Sequence, residues 1–378
     1  LCDIYKMGRI IDSILSGGVF LTATLLTYKY LKDRKRKLII EGQCEAKNKF
    51  NIDLNKIIEK MKNKNIINID DINDEELLVI LFTAKTFEKI LRDKKDSKYL
   101  KDKVFCSLFT EPSTRTRCSF DSAILRLGSK VINITDVNST SFYKGETVQD
   151  TFSVMSKYVD GIIYRDASNN NIELAIETSS KPIINAGNGT GEHPTQSLLD
   201  FYTIYNFFPY ILNRDPNKQL KVAFVGDLKN GRTIHSLSKL LSRYNVSFNF
   251  ISCKSLDIPD NIINIISDNL KKNNFYDNNS INKYDNLEKG LEGTHIVYMT
   301  RIQKERFSDM SEYNKYKDSF ILDNNTLKNT RPNAKVLHPL PRVNEIKIEV
   351  DKNPKSVYFL QAENGLYVRM ALLYLIFS

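Results

Sequence analysis

From about residue 48 to the C-terminus, short apolar runs rich in β-branched residues alternate with stretches whose apolar residues recur every three or four positions. VFCSLF, residues 104–109, predicts a strand. Phe120, Ile124 and Leu127 then recur at helical spacing, and Gly128 is placed to close that helix. KVINIT, GIIYR, KPIINAG, KVAFVGD, VSFNFIS, THIVYMTR and AKVLHPL predict further strands. Between them TVQDTFSVMSKYV, PTQSLLDFYTIYNFF, RTIHSLSKLLSRY and IINIISDNLKK predict helices. Strand and helix in alternation predict an α/β fold of mainly parallel sheets covered by helices. The Asn/Lys-rich stretch 271–286 breaks the alternation and is expected to be a surface insertion.

Residues 10–31 are mostly apolar and are followed by KDRKRK, so residues 1–47 are expected to be a leader or targeting segment outside the folded core. Asp12 and several Ser, Thr and Gly argue against a membrane span there, and membrane contact is expected only if the leader is retained. The chain has 378 residues, more than one core comfortably serves, which predicts two domains.

The formal charge of +10 raises the question of nucleic acid. Its distribution answers against it, because residues 1–50 hold ten Lys/Arg and five Asp/Glu, half of the excess. Five scattered cysteines, Cys2, Cys44, Cys106, Cys118 and Cys253, form no CxxC pair and no Cys/His ligand spacing. Reduced thiols and no metal or other cofactor are expected, in the cytoplasm or in an organelle reached through the leader.

In parallel α/β sheets ligands bind beyond the carboxyl ends of the strands. VFCSLF is followed by EPSTRTR, where Ser113 or Thr114 can cap the next helix and Arg115 can meet an anion at its N-terminus. An ordinary cap with two exposed arginines, Arg115 and Arg117, is the competing reading. GIIYR ends in Arg165, NGTGEHPTQS brings His193 and Gln196, LKNGRTIHS brings Arg232, and TRIQKER brings Arg301 and Gln303. After AKVLHPL, Pro339 and Leu340 can offer backbone carbonyls. Cations converging on one cleft repel unless a ligand neutralises them, so the set predicts a polyanionic ligand. No carboxylate pair at matching strand ends, GxSxG elbow, Cys/His pair, GxGxxG or GxxxxGK[ST] is present, which leaves positioning and electrostatic stabilisation as the mechanism.

Taken together, STRT (Ser113 to Thr116), Arg165, HPTQ (His193 to Gln196), VGDLKNGRTIHS, YMTRIQKER and VLHPLPRVNEI resemble the transcarbamoylase family, and within it the catalytic chains of the aspartate carbamoyltransferases. The resemblance implies the transcarbamoylase fold. Residues 48–194 plus 358–378 would form a carbamoyl phosphate domain, and residues 195–357 an aspartate domain. It implies that Ser113, Thr114, Arg115 and Thr116 hold the phosphate. Thr116, Arg165 and His193 would polarise the carbamoyl carbonyl, and Gln196, Pro339 and Leu340 would grip its amide. Arg232 would bind the α-carboxylate of L-aspartate, and Arg301 with Gln303 the β-carboxylate. Ornithine-type relatives carry a cysteine in an HCLP-like turn, whereas HPLPR with Arg232 and Arg301 suits a dicarboxylate and repels an ammonium.

In such relatives a Ser and a Lys from a loop like DVNSTSFYKGET enter the neighbouring subunit's site in a homotrimer, and here they match Ser141 and Lys144. Spacing before Gly145 is one residue shorter than in some relatives. Asp166 and Glu192 depart from the family pattern and are expected to add negative charge close to the anion site. A transcarbamoylase with another acceptor and a non-catalytic relative remain alternatives, and the sequence is silent on a regulatory partner chain.

Overall fold

The computed structural model describes residues 50, 52–135, 140–189, 191–303, 307 and 309–378. The expected leader, residues 136–139 of the loop before Lys144, Thr190 and residues 304–306 lie outside the described residues. Among the described residues, two helices, α1 (Leu54–Met61) and α2 (Asp74–Arg92), come first. Asn73 and Glu76 form a reciprocal capping box at the start of α2, with bonds of 2.9 and 3.0 Å.

A four-stranded sheet follows, built from β1 (Val104–Phe109), α3 (Thr114–Arg126), β2 (Lys130–Ile134), α4 (Val148–Tyr158), β3 (Gly161–Asp166), α5 (Asn169–Thr178) and β4 (Ile183–Asn188). Its order is β2-β1-β3-β4, and all pairs are parallel. Gly128 adopts φ +83°, which lets Ser129 N–H reach the Ile124 carbonyl at 3.1 Å and close α3, as the glycine predicted. Helix α6 (Pro194–Phe207) follows this sheet with almost every residue buried, and it packs on β4, on the helix that starts at Arg232 and on the C-terminal helix.

The second sheet runs β5 (Leu220–Val225), α7 (Arg232–Leu241), β6 (Val246–Ile251), α8 (Asp260–Lys272), β7 (Ile281–Tyr284), α9 (Leu287–Leu291), β8 (Ile296–Met299), α10 (Met310–Tyr316) and β9 (Lys335–Leu337). It is parallel throughout, in the order β7-β6-β5-β8-β9. The stretch 271–286 is therefore not an insertion: it holds the end of α8 and the edge strand β7, in register with β6 from Phe248↔Ile281 to Ile251↔Tyr284. An edge strand with partly exposed residues needs no apolar run, which is why the pattern there was silent.

The last helix, α11 (Tyr358–Phe377), is mainly apolar and mostly buried, packed on α2, α6 and α3. Among the described residues no helix is long and apolar enough to cross a membrane. The Phe377 ring meets Phe105 edge-on at 4.8 Å under β1, and each such buried aromatic contributes on the order of 2 kcal/mol. Both sheets are parallel, so the turns after β1, β3, β4, β5, β8 and β9 supply the walls of one cavity.

Candidate active site

That cavity has a volume of about 490 Å³. It takes Glu111 and Ser113–Thr116 from the turn after β1, Arg165 from β3, and His193 and Gln196 from the start of α6. Arg232 comes from the start of α7, Arg301 and Gln303 from the turn after β8, and Pro339 and Leu340 from the turn after β9. Residues spread over more than two hundred positions of sequence converge because every donor turn lies at a strand's carboxyl end.

Ser113 is the N-cap residue of α3, yet its hydroxyl makes no capping bond. The N-terminal N–H groups of α3 therefore face the cavity with their positive dipole, beside the Ser113 and Thr114 hydroxyls. Arg115 lines the cavity and Arg117 does not. Burial, then the neighbouring Arg301, lowers the Arg115 pKa, which places the two guanidiniums within electrostatic reach across the cleft.

Arg165 is buried, its Nη1 donating to the Ala186 carbonyl at 3.2 Å and its Nη2 paired with Glu111 Oε1 at 3.2 Å. Burial and then Arg232 push its pKa down to about 10, while Glu111 opposes the shift. Arg232 donates to the Gly189 carbonyl at 2.6 Å and meets the other Glu111 oxygen at 3.3 Å. Gly187, at φ +109°, is needed here: a Cβ would stand 3.1 Å from Arg165 Nη1 and 3.2 Å from the His193 ring. His193 is buried, its Nδ1 has no hydrogen-bond partner, and its pKa lies well below the usual value because of burial and then Arg232, Arg165 and Arg369. The imidazole is thus neutral at neutral pH, with one ring nitrogen able to donate.

Gln303 donates to the Asn230 carbonyl at 3.2 Å, and Asn230 is held by Asp227, which accepts from its N–H at 3.0 Å. On the opposite wall, Leu340 has φ +57° and its N–H donates to His338 Nδ1 at 2.7 Å. His338 Nε2 stands 2.7 Å from the Glu345 carboxylate, so the proton belongs on Nε2. This buried pair fixes the turn that carries Pro339 and Leu340.

The structure also brings in residues the sequence reading missed. Glu111 sits at a strand end, where the same rule that selected Arg115 would have found it. Gln361 and Arg369 line the cavity from α11, and their spacing with Gly365 (361, 365, 369) puts them on one helix face. Arg369 is fully buried, donates to Ser119 Oγ at 2.9 Å, and covers the Phe120 ring at 4.9 Å. Burial pushes its pKa down to about 10. Among the described residues, five arginines against one glutamate line the cavity. A polyanion is the ligand such a field accepts.

Ser141 and Lys144 form an exposed single turn and do not line this cavity. Asp166 and Glu192, expected close to the anion site, do not line the cavity either. Asp166 is turned inward, accepting from Tyr164 OH at 2.8 Å and Asn171 Nδ2 at 3.0 Å, and Glu192 is engaged by Ser236 and Lys239. Alternation along β3 sends the Asp166 side chain to the face opposite Arg165, and Glu192, ahead of the N-cap His193, is drawn to α7 by Ser236 and Lys239.

The model for the carbamoyl-P binding domain of aspartate/ornithine carbamoyltransferase matches residues 64–206, and that for the Asp/Orn binding domain matches residues 218–376. The chain is 43% identical over 314 residues to an aspartate carbamoyltransferase catalytic subunit of Phocaeicola vulgatus, covering 83% of this chain and 95% of that one. It is 44% identical over 313 residues to the subunit of Methanosarcina barkeri, covering 82% and 96%. A multifunctional protein of Dictyostelium discoideum, pyr1-3, is 42% identical over 87% of this chain, and the match spans 14% of that longer protein. Among solved structures, aspartate transcarbamoylase of Trypanosoma cruzi in complex with N-(phosphonacetyl)-L-aspartic acid superimposes with a TM-score of 0.78 at 30% identity, over 84% of this chain and 97% of that one. The same enzyme with carbamoyl phosphate and aspartate gives 0.75 at 29% identity, over 84% and 98%.

Proposed function

The chain belongs to the aspartate/ornithine carbamoyltransferase family, and on that premise we propose that its cavity transfers the carbamoyl group of carbamoyl phosphate to L-aspartate. The products are N-carbamoyl-L-aspartate and phosphate, an early step of pyrimidine synthesis, and the chain is a transferase. The observation that carries the reading is the convergence of Arg115, Arg165, Arg232 and Arg301 on one cleft that also holds a neutral histidine and the amide of Gln196.

Ser113, Thr114, Arg115 and Thr116 hold the phosphate at the N-terminus of α3, where N–H groups and helix dipole already favour an anion. Thr116, Arg165 and the neutral His193 donate to the carbamoyl oxygen and stabilise the charge it gains in the tetrahedral intermediate. A cationic histidine is unnecessary there, because the arginines supply the charge. Gln196 and the carbonyls of Pro339 and Leu340 accept from the carbamoyl amide. Arg232 takes the α-carboxylate and Arg301 with Gln303 the β-carboxylate of aspartate. Its neutral amine attacks the carbonyl carbon, a C–N bond forms, the C–O bond to phosphate breaks, and the departing phosphate receives the amine's proton. Holding both substrates in contact supplies the entropic part of the rate.

Residues 48–194 plus 358–378 make the carbamoyl phosphate domain and 195–357 the aspartate domain. The packing of α11 on α2 and α3 supports joining residues 358–378 to the first of these domains. Active sites are shared in a homotrimer, with Ser141 and Lys144 entering the neighbouring subunit's cavity. Exposed Ile132, Tyr143, Val154 and Tyr158, on β2, the following turn and α4, supply apolar surface for that contact. The free cysteines Cys106, Cys118 and Cys253 suit a reducing compartment such as the cytoplasm.

Carbamoyl-amino-acid formation by the full chain, with aspartate or ornithine as acceptor, tests the reading. Turnover with aspartate alone is expected; turnover with ornithine, or with neither in a folded protein, would reject it.

A further inference from the structure

Asp200 lies behind the cavity wall, fully buried on α6. Its Oδ1 accepts from Gln196 Nε2 at 2.8 Å and from Gln361 Nε2 at 2.6 Å, and its Oδ2 accepts from Tyr298 OH at 2.7 Å. These donors come from three elements, α6, α11 and β8. Gln361 in turn accepts from the His338 N–H at 2.8 Å, the residue that opens the turn carrying Pro339 and Leu340.

A side-chain amide has one donating and one accepting end, and which end faces a cavity decides what the cavity recognises. With Gln196 Nε2 bound to Asp200, its Oε1 is the end left for the cavity that Gln196 lines. With Gln361 Nε2 bound to the same oxygen, its Oε1 is committed to His338 N–H, which anchors the two backbone carbonyls. One buried carboxylate therefore orients every acceptor proposed for the carbamoyl amide. Burial pushes the Asp200 carboxyl up to about 7, against the hydrogen bonds from Tyr298, Gln361 and Gln196, so at about pH 8 it is an acceptor for all three.

Resting on the carbamoyl-transfer reading above, we propose that Asp200 is a positioning residue that makes the cavity select a carbamoyl over an acetyl group, by holding Gln196 and Gln361 in a single orientation. An acetyl group has the same shape, with CH3 in place of NH2. It would leave the acceptor oxygens of Gln196, Pro339 and Leu340 without donors, a discrimination that steric fit alone does not provide.

The test compares kcat/KM for carbamoyl phosphate and acetyl phosphate, with aspartate as acceptor at about pH 8, in the full-length protein. In Asp200→Ala the carbamoyl-to-acetyl ratio is expected to fall about tenfold or more, since both glutamines become free to rotate. A purely structural loss would lower both substrates alike. Asp200→Asn restores the geometry, its Oδ1 accepting from both glutamines and its Nδ2 donating to Tyr298 OH, and should keep the ratio within about threefold of wild type. An unchanged ratio in Asp200→Ala, or a fall in Asp200→Asn as deep as in Asp200→Ala, overturns the proposal. If Asp200→Ala does not fold, Gln361→Met cuts the same bridge, and an unchanged ratio there overturns it equally. Wild type without any transfer to aspartate would instead defeat the carbamoyl-transfer reading, whereas wild type that transfers both groups equally well defeats only the role of Asp200.

Discussion

The Glu111 carboxylate stands 3.2 Å from the Arg165 guanidinium, and its second oxygen stands 3.3 Å from Arg232. Two cations that would otherwise repel across the cleft are thus held by one anion from the phosphate turn. Glu111 does in the empty cavity part of what a bound polyanion would do.

Replacing that carboxylate should therefore cost stability most when no ligand is present. Glu111→Gln is expected to lose about 1–2 kcal/mol without phosphate, allowing for partial solvent screening, and to recover part of it in saturating phosphate. Thermal melts of both proteins with and without phosphate check this; an equal loss in the two conditions would assign Glu111 a purely structural role.

Arg115 faces the cavity and holds no part of the core. Arg115→Ala should lower kcat about 10²–10³-fold and leave the melting temperature nearly unchanged. Near-full activity in steady-state assays would remove it from the phosphate site.

Arg301 and Gln303 come from the turn after β8 and not from the phosphate turn. Arg301→Ala is expected to raise the KM for aspartate about 10- to 100-fold while altering the carbamoyl phosphate requirement far less. An unchanged aspartate saturation curve would place the β-carboxylate elsewhere.

Lys144 is exposed and outside its own chain's cavity. If sites are shared, mixing inactive Lys144→Ala and Arg115→Ala subunits in equal amounts restores wild-type sites at about a quarter of positions in randomly assembled trimers. Activity near that fraction is expected after reassembly. None, with mixing shown by mass, would confine each site to one chain.

His193 is held neutral by burial and by Arg232, Arg165 and Arg369. Its folded pKa is lowered, so its contribution to stability is complete above the unfolded value near 6.5 and declines as pH falls below that value toward the folded pKa. A ring nitrogen NMR titration should show neutral imidazole through pH 6, and a midpoint at or above 6.5 would exclude the neutral-donor role.

The alternation of apolar runs was enough to specify parallel sheets, and the rule that ligands sit at strand ends was enough to pick Arg115, Arg165, Arg232 and Arg301. These are local properties: a strand, the turn after it, and the residue type in that turn. β7 escaped because an edge strand need not be apolar, and its Asn/Lys-rich text looked like a loop. Asp166 and Glu192 were placed near the anion site by sequence adjacency, yet neighbours on a strand or helix start point to different sides.

What the sequence by itself determined was the inventory of turns and the charge each would carry. The tertiary structure decided which side chains share a space. Arg369 reaches Ser119 across 250 positions, Gln361 meets Asp200 across 161, and Glu111 bridges Arg165 and Arg232. No periodicity encodes such pairs. They arise because the packing of α11 on α3 and α6 fixes distances between chain segments that local propensity leaves free.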